Sequence, residues 1–206
     1  MSAAPSPRER SRRDTENRIE LAATSLALEQ GFNDVTVDEI CDRADVARST
    51  FFKYFSSRDA AILGRELQIL EGEDASAVLS AHAGFLPRGV FELIFASVGH
   101  AHVHTDVARA RQELTRTQPD ARAVGTLILV DSAALLMSGV RDWLIEHPQH
   151  ARLPDDPTAE ASLATNAAYA AISTMAGGWM AAAGDITASA EEFDAALDDL
   201  RRVAGH

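Results

Sequence analysis

Two cations, three hydroxyls and four aromatic rings crowd the eight residues Arg48–Phe55, RSTFFKYF. At helical spacing Phe51 and Phe55 turn inward with Val46, leaving Arg48, Ser49, Thr50, Phe52, Lys53 and Tyr54 on the outer surface. Cations and hydroxyls on an exposed helix meet phosphate oxygens and base edges, and such a helix fits the major groove of double-stranded DNA. In that chemistry Arg48, Ser49 and Thr50 read base edges, while Lys53, Tyr54 and Arg58 hold phosphates. The competing explanation is an ordinary helical hairpin with a solvated face. The DNA reading is preferred because exposed aromatics coincide with the capping and turn signals that follow.

A helix used this way must be held by its neighbours. Thr36 caps a preceding helix through its hydroxyl and Glu39 reaches back three residues, a capping box, with Val35 and Ile40 at the two flanking staple positions. Val37, Ile40, Cys41 and Ala44 form one apolar face. Asp45, Val46 and Ala47 make the turn, with Asp45 where a left-handed residue is expected. Two short helices joined by a tight turn are the predicted unit, and Thr36 belongs with its DNA-facing residues.

Residues Arg18 to Ile62 resemble the DNA-binding domain of the TetR family of bacterial transcriptional regulators. The resemblance is carried by Ile19, Ala22-Ala23, Gly31-Phe32, Thr36-Val37, Ile40, Ala44, Val46, Thr50, Tyr54-Phe55 and Ser57-Arg58. Three positions depart from the pattern: Asp45 replaces the usual turn glycine, Ala47 a capping serine and Phe52 a frequent tyrosine. The resemblance implies a ligand-released repressor that binds a palindromic operator as a homodimer; the alternatives are a ligand-independent or architectural DNA-binding protein and a helical small-molecule carrier. The repressor's effector would be a small, largely apolar molecule.

Composition sets the frame for that reading. The chain has 206 residues, 46% of them hydrophobic and 24% charged, and abundant alanine favours helices over sheet. A net charge of -12 opposes nucleic-acid binding, but the acids lie late: residues 64–206 carry ten arginines and twenty acids. Near the start, Arg8, Arg10, Arg12 and Arg13 face only Glu9 among residues 1–13. This start has no apolar core for secretion, so a cytoplasmic protein is expected. The stretch Ala161–Gly184 is uncharged but made of small residues, which suits protein packing rather than a membrane. The single cysteine, Cys41, excludes an intrachain disulfide.

The fold class predicted is all-α, a three-helix helix-turn-helix domain followed by a larger helical bundle for ligand binding and dimerisation. A flexible Arg-rich arm covers residues 1–14, the DNA-binding domain 15–57 and the bundle 58–206. The first helix is expected from Thr15 to Gln30, and one beginning near Arg58 continues to about Leu70. Others are expected over Val90–His104, Val107–Thr117, Asp120–Glu146, Thr158–Ala183 and Ser189–Val203, with no clear pattern over Glu71–Pro87. The effector pocket is placed among Phe91, Phe95, Leu127, Leu135, Trp143 and Trp179, with Asp131 buried in TLILVDSAALLM either as a polar anchor for the ligand or paired inside with an Arg or His. His100 and His104 have chelating spacing, but no cysteine or HExxH signature accompanies them, so no metal is expected. No nucleophile elbow or phosphate-cradling glycine loop is present, so neither enzyme activity nor a cofactor is expected. The homodimer interface is assigned to the helix near 158–183, through Ala164, Ala167, Ala168, Ala171, Gly177 and Gly178, and to the last helix.

Overall fold

The structure is a computed structural model that describes residues 6–65, 68–98, 102–181 and 185–205. Ten α-helices occupy these residues: α1 (Pro7–Gln30), α2 (Val37–Ala44), α3 (Arg48–Tyr54), α4 (Arg58–Leu63), α5 (Gly72–Ala81), α6 (Leu86–Val98), α7 (Thr105–Thr117), α8 (Pro119–Glu146), α9 (Pro157–Ala181) and α10 (Ala190–Val203). The class is all-α. Two three-residue strands, β1 (His102–His104) and β2 (Asp185–Thr187), pair with each other, an addition that no sequence pattern announced. The contacts divide the chain into two compact units.

In the first unit, α1 to α4 join α7 and the opening turns of α8. Its core holds Ile19, Ala23 and Ala27 of α1, Ile40 of α2, Phe51 of α3, Ile62 of α4, Leu114 of α7 and Ala121 of α8, all buried. The expected start of α1 at Thr15 needs correction, as does the free arm over residues 7–14, which are helical. Pro7, whose ring presets φ, opens the helix, and Arg10 N–H donates to the Ser6 carbonyl at 3.0 Å. Thr15 does not cap; its hydroxyl donates to the Ser11 carbonyl at 3.0 Å. α4 also ends well short of Leu70, because Gly64 adopts φ +109°, a left-handed conformation that stops the helix.

The second unit contains α5, α6, α9, α10 and the rest of α8. Phe91 of α6 packs with tilted ring planes against Phe193 of α10 and Phe95, centroids 4.2 and 4.8 Å away, and Val90, Leu136, Val140, Leu144 and Ala168 close the core around them. Helix α5 forms where no pattern was legible; Leu79 anchors it in the core, and Glu73 and Asp74 complement the positive end of its dipole. Helix α6 ends at Val98 rather than His104. His100 lies outside the described residues, and His104 sits in β1, so the helical spacing invoked for a metal pair does not apply. Among the described residues no group of His, Cys, Asp and Glu is arranged to hold a metal ion.

Candidate nucleic-acid interface

The α2–turn–α3 corner forms through local bonds. Thr36 Oγ1 accepts from Glu39 N–H at 3.3 Å and donates to Glu39 Oε2 at 2.7 Å, while Thr36 N–H donates to the same oxygen at 2.8 Å. Hydrogen bonds from the Thr36 side chain, then from its backbone, hold the Glu39 carboxyl below the usual carboxylate range. Thr36 is therefore occupied in the cap. Asp45 adopts φ 51° and ψ 56°, and Val46 N–H closes the turn on the Cys41 carbonyl at 3.0 Å. Helix α3 starts at Arg48, and Ala47 at its N-cap supplies no side-chain hydrogen bond. Its orientation comes instead from Phe51 and Phe55, both buried in the core.

Arg48, Ser49, Phe52 and Lys53 are exposed on the opposite face, with Thr50 and Tyr54 half-buried beside them. Arg48 is held in place by an ion pair with Asp38 and lies over the Phe52 ring, 5.3 Å from its centroid. Phe52, 48% exposed, thus has a supporting role: the ring restricts the guanidinium to one side of the helix. Arg58 differs from the expectation. Its Nη1 donates to the carbonyls of Asn33 (2.9 Å) and Val35 (3.1 Å), its Nε to Asp59 at 2.9 Å, and its guanidinium covers Phe32. Those donors brace the α1–α2 link instead of facing a phosphate. Its charge satisfies carbonyls that the short link leaves without helical partners.

Three groups distant in sequence complete the support. Arg18 Nη1 donates to the Ala44 carbonyl at the end of α2 (3.0 Å). Gln118 accepts from Phe32 N–H at 2.7 Å and donates to the Ala27 carbonyl at 2.9 Å, so one amide ties the α7–α8 elbow to the end of α1. Arg111 of α7 donates to the Ile62 carbonyl and to Glu20, at 2.9 and 2.8 Å. Sequence reasoning missed Gln118 and Arg111, because their partners lie tens of residues away and no local periodicity marks them.

The residues expected to line an effector pocket do not share one environment. Phe91 and Trp143 are buried in the second core, with Phe95 and Trp179 half-buried against it. Trp143 Nε1 donates to Ser76 Oγ at 3.2 Å, and its ring stacks with His147 and His150 at 5.1 and 5.5 Å. Leu127, Asp131 and Leu135 stand on the exposed side of α8, so Asp131 is not the buried anchor expected. The inward side of α8 is set by Ser132, Leu136, Val140 and Trp143. Ala164, Ala168 and Ala171, expected at a dimer interface, pack into their own chain's core, whereas Gly177 and Gly178 are exposed.

Residues 20–62 match the family model described as bacterial regulatory proteins, tetR family. An uncharacterized HTH-type transcriptional regulator, YdeS of Bacillus subtilis (strain 168), is 45% identical over 49 residues, which span 24% of this chain and 25% of that protein. A TetR-like transcriptional regulator from Rhodococcus sp. RHA1 aligns over 93% of this chain and 97% of its own at 20% identity, with a TM-score of 0.40. A putative TetR-family regulator from Mesorhizobium loti MAFF303099 aligns over 94% and 98% at 15% identity, also with a TM-score of 0.40. The whole-chain superpositions are loose, and the relationship is carried by the helix-turn-helix segment. The helix-turn-helix segment, residues 20–62, is what this chain shares with the tetR family of bacterial regulatory proteins.

Proposed function

We propose that the chain is a cytoplasmic transcriptional regulator that binds a palindromic operator as a homodimer and leaves it when a small molecule binds. The observation that carries this reading is the outward face of α3, presented on a rigid core. Arg48, Ser49 and Thr50 read base edges in the major groove, and Lys53 and Tyr54 hold the flanking phosphates. Arg58 is a positioning residue for the corner. Two copies would place their α3 helices about 34–36 Å apart, one turn of DNA. The outward face of α9 supports self-association: Leu163, 64% exposed, shares it with Asn166, Ala170, Ser173 and Gly177, small groups that allow close approach. A largely apolar effector would bind the second unit, where Phe95 and Trp179 are accessible, and release DNA through its differential affinity for the two dimer geometries.

The test is a mobility-shift titration with the genomic sequence flanking the chain's own coding region. One retarded dimer complex, lost in Arg48→Ala on that sequence more than on a scrambled duplex, is the expected result. Equal affinity for both duplexes overturns sequence-specific regulation, and a monomer in sedimentation at micromolar concentration overturns the dimer.

A further inference from the structure

Beside the outward face of α3 lies an open cleft of about 430 Å³, lined by Pro7, Arg8, Ser11 and Arg12 of α1 and by Lys53 and Tyr54 of α3. Arg8 and Arg12 are one helical turn apart, so their side chains leave α1 on the same side. Both arginines and Lys53 are exposed, and none of the three forms an ion pair among the described residues. Three cations that line one cleft and have no ion-pair partner among the described residues repel one another, an arrangement that an external anion stabilises. The field extends inward: after burial itself, Arg12 is the next influence lowering the proton affinity of Arg65. Ser11 and Tyr54 add neutral hydroxyl donors, the complement a phosphate oxygen needs after its charge is met.

We propose that this cleft is a second phosphate-binding site, in which Arg8, Ser11 and Arg12 hold the DNA backbone adjoining the stretch read by α3. The inference rests on the DNA-binding reading and extends its footprint. Lys53 and Tyr54 belong to both faces, so the cleft continues the surface of α3 and favours duplex backbone over a free phosphate compound. Because α1 is helical from Pro7, the two arginines are side by side on a rigid rod rather than on an extended arm that could thread the minor groove. The contact is therefore indifferent to base sequence.

The experiment compares the wild-type chain with the Arg8→Ala/Arg12→Ala double variant. Both side chains are exposed, so folding should be retained, and circular dichroism checks this. Binding is measured across a salt series to the shifted promoter fragment, trimmed to its core or extended with A·T or G·C flanks. The wild-type chain should gain affinity from either flank. The variant should lose that gain and lower the salt slope by about two, one for each phosphate contact removed. An unchanged slope and flank gain overturn the proposal, as does a loss confined to A·T flanks, which would indicate minor-groove insertion. Calorimetry with inorganic pyrophosphate separates the other source: binding lost in the variant while the DNA slope is unchanged assigns the cleft to a free phosphate compound and refutes the backbone contact. If the wild-type chain binds no duplex at all, the proposed function fails and this site with it.

Discussion

Gln118→Met tests whether the α7–α8 elbow supports the helix-turn-helix unit. The Gln118 amide is the partner of Phe32 N–H at 2.7 Å, in a residue only 4% exposed, and it also donates to the Ala27 carbonyl. Ala27 O keeps a second partner, Gly31 N–H at 3.1 Å, so its loss is mild. Phe32 N–H has no such substitute. Methionine preserves the length of the side chain and removes both polar ends. An orphaned buried donor costs about 1–3 kcal/mol, so a destabilisation near 2 kcal/mol is expected. If local opening governs exchange, that corresponds to about thirtyfold faster hydrogen exchange at the Phe32 amide. Exchange followed by nuclear magnetic resonance or mass spectrometry reports on this unit directly, whereas tryptophan fluorescence does not, because Trp143 and Trp179 both lie in the other unit. Unaltered protection of Phe32 in the variant would refute the reasoning and show that water replaces the amide without loss.

Three further outcomes follow from the same geometry. Ala47→Ser supplies the cap α3 lacks at a residue already extended (φ -69°, ψ 149°), and should raise stability by about 1 kcal/mol in chemical denaturation. Glu39→Gln retains an acceptor for the capping box but does not titrate. The folded-state pKa of Glu39 is depressed, so its stabilisation is present above the unfolded pKa and lost as pH falls through the folded one; melting curves of the variant should therefore be less acid-sensitive than those of the wild type. Phe52→Ala removes the ring beneath Arg48 at an exposed position; stability should change by less than about 0.5 kcal/mol, while mobility shifts show weakened operator binding.

Local chemistry made the α2–turn–α3 corner legible in the sequence alone. The Thr36–Glu39 box, the Val35–Ile40 staple, the left-handed Asp45 and the inward Phe51 and Phe55 all involve groups within a few residues of one another, so spacing identifies them. The late helices α8, α9 and α10 were legible for the same reason, to within about two residues at their ends. The start of α1 was not: an Arg-rich segment reads as a solvated tail, although Pro7 at a first helical position was a usable sign. What only the tertiary structure decided is which groups meet when the code is not local. In TLILVDSAALLM nearly every side of α8 is apolar, so periodicity cannot say which faces inward; packing against the second core chose Ser132 and Leu136 and left Leu127, Asp131 and Leu135 outside. Arg58 looks like a phosphate ligand by position, yet it donates to the carbonyls of Asn33 and Val35, more than twenty residues back in the chain, which no local pattern announces. Gln118 and Arg111 reach partners 49 to 91 residues away, a distance over which side-chain type carries no information until the backbone has brought the ends together.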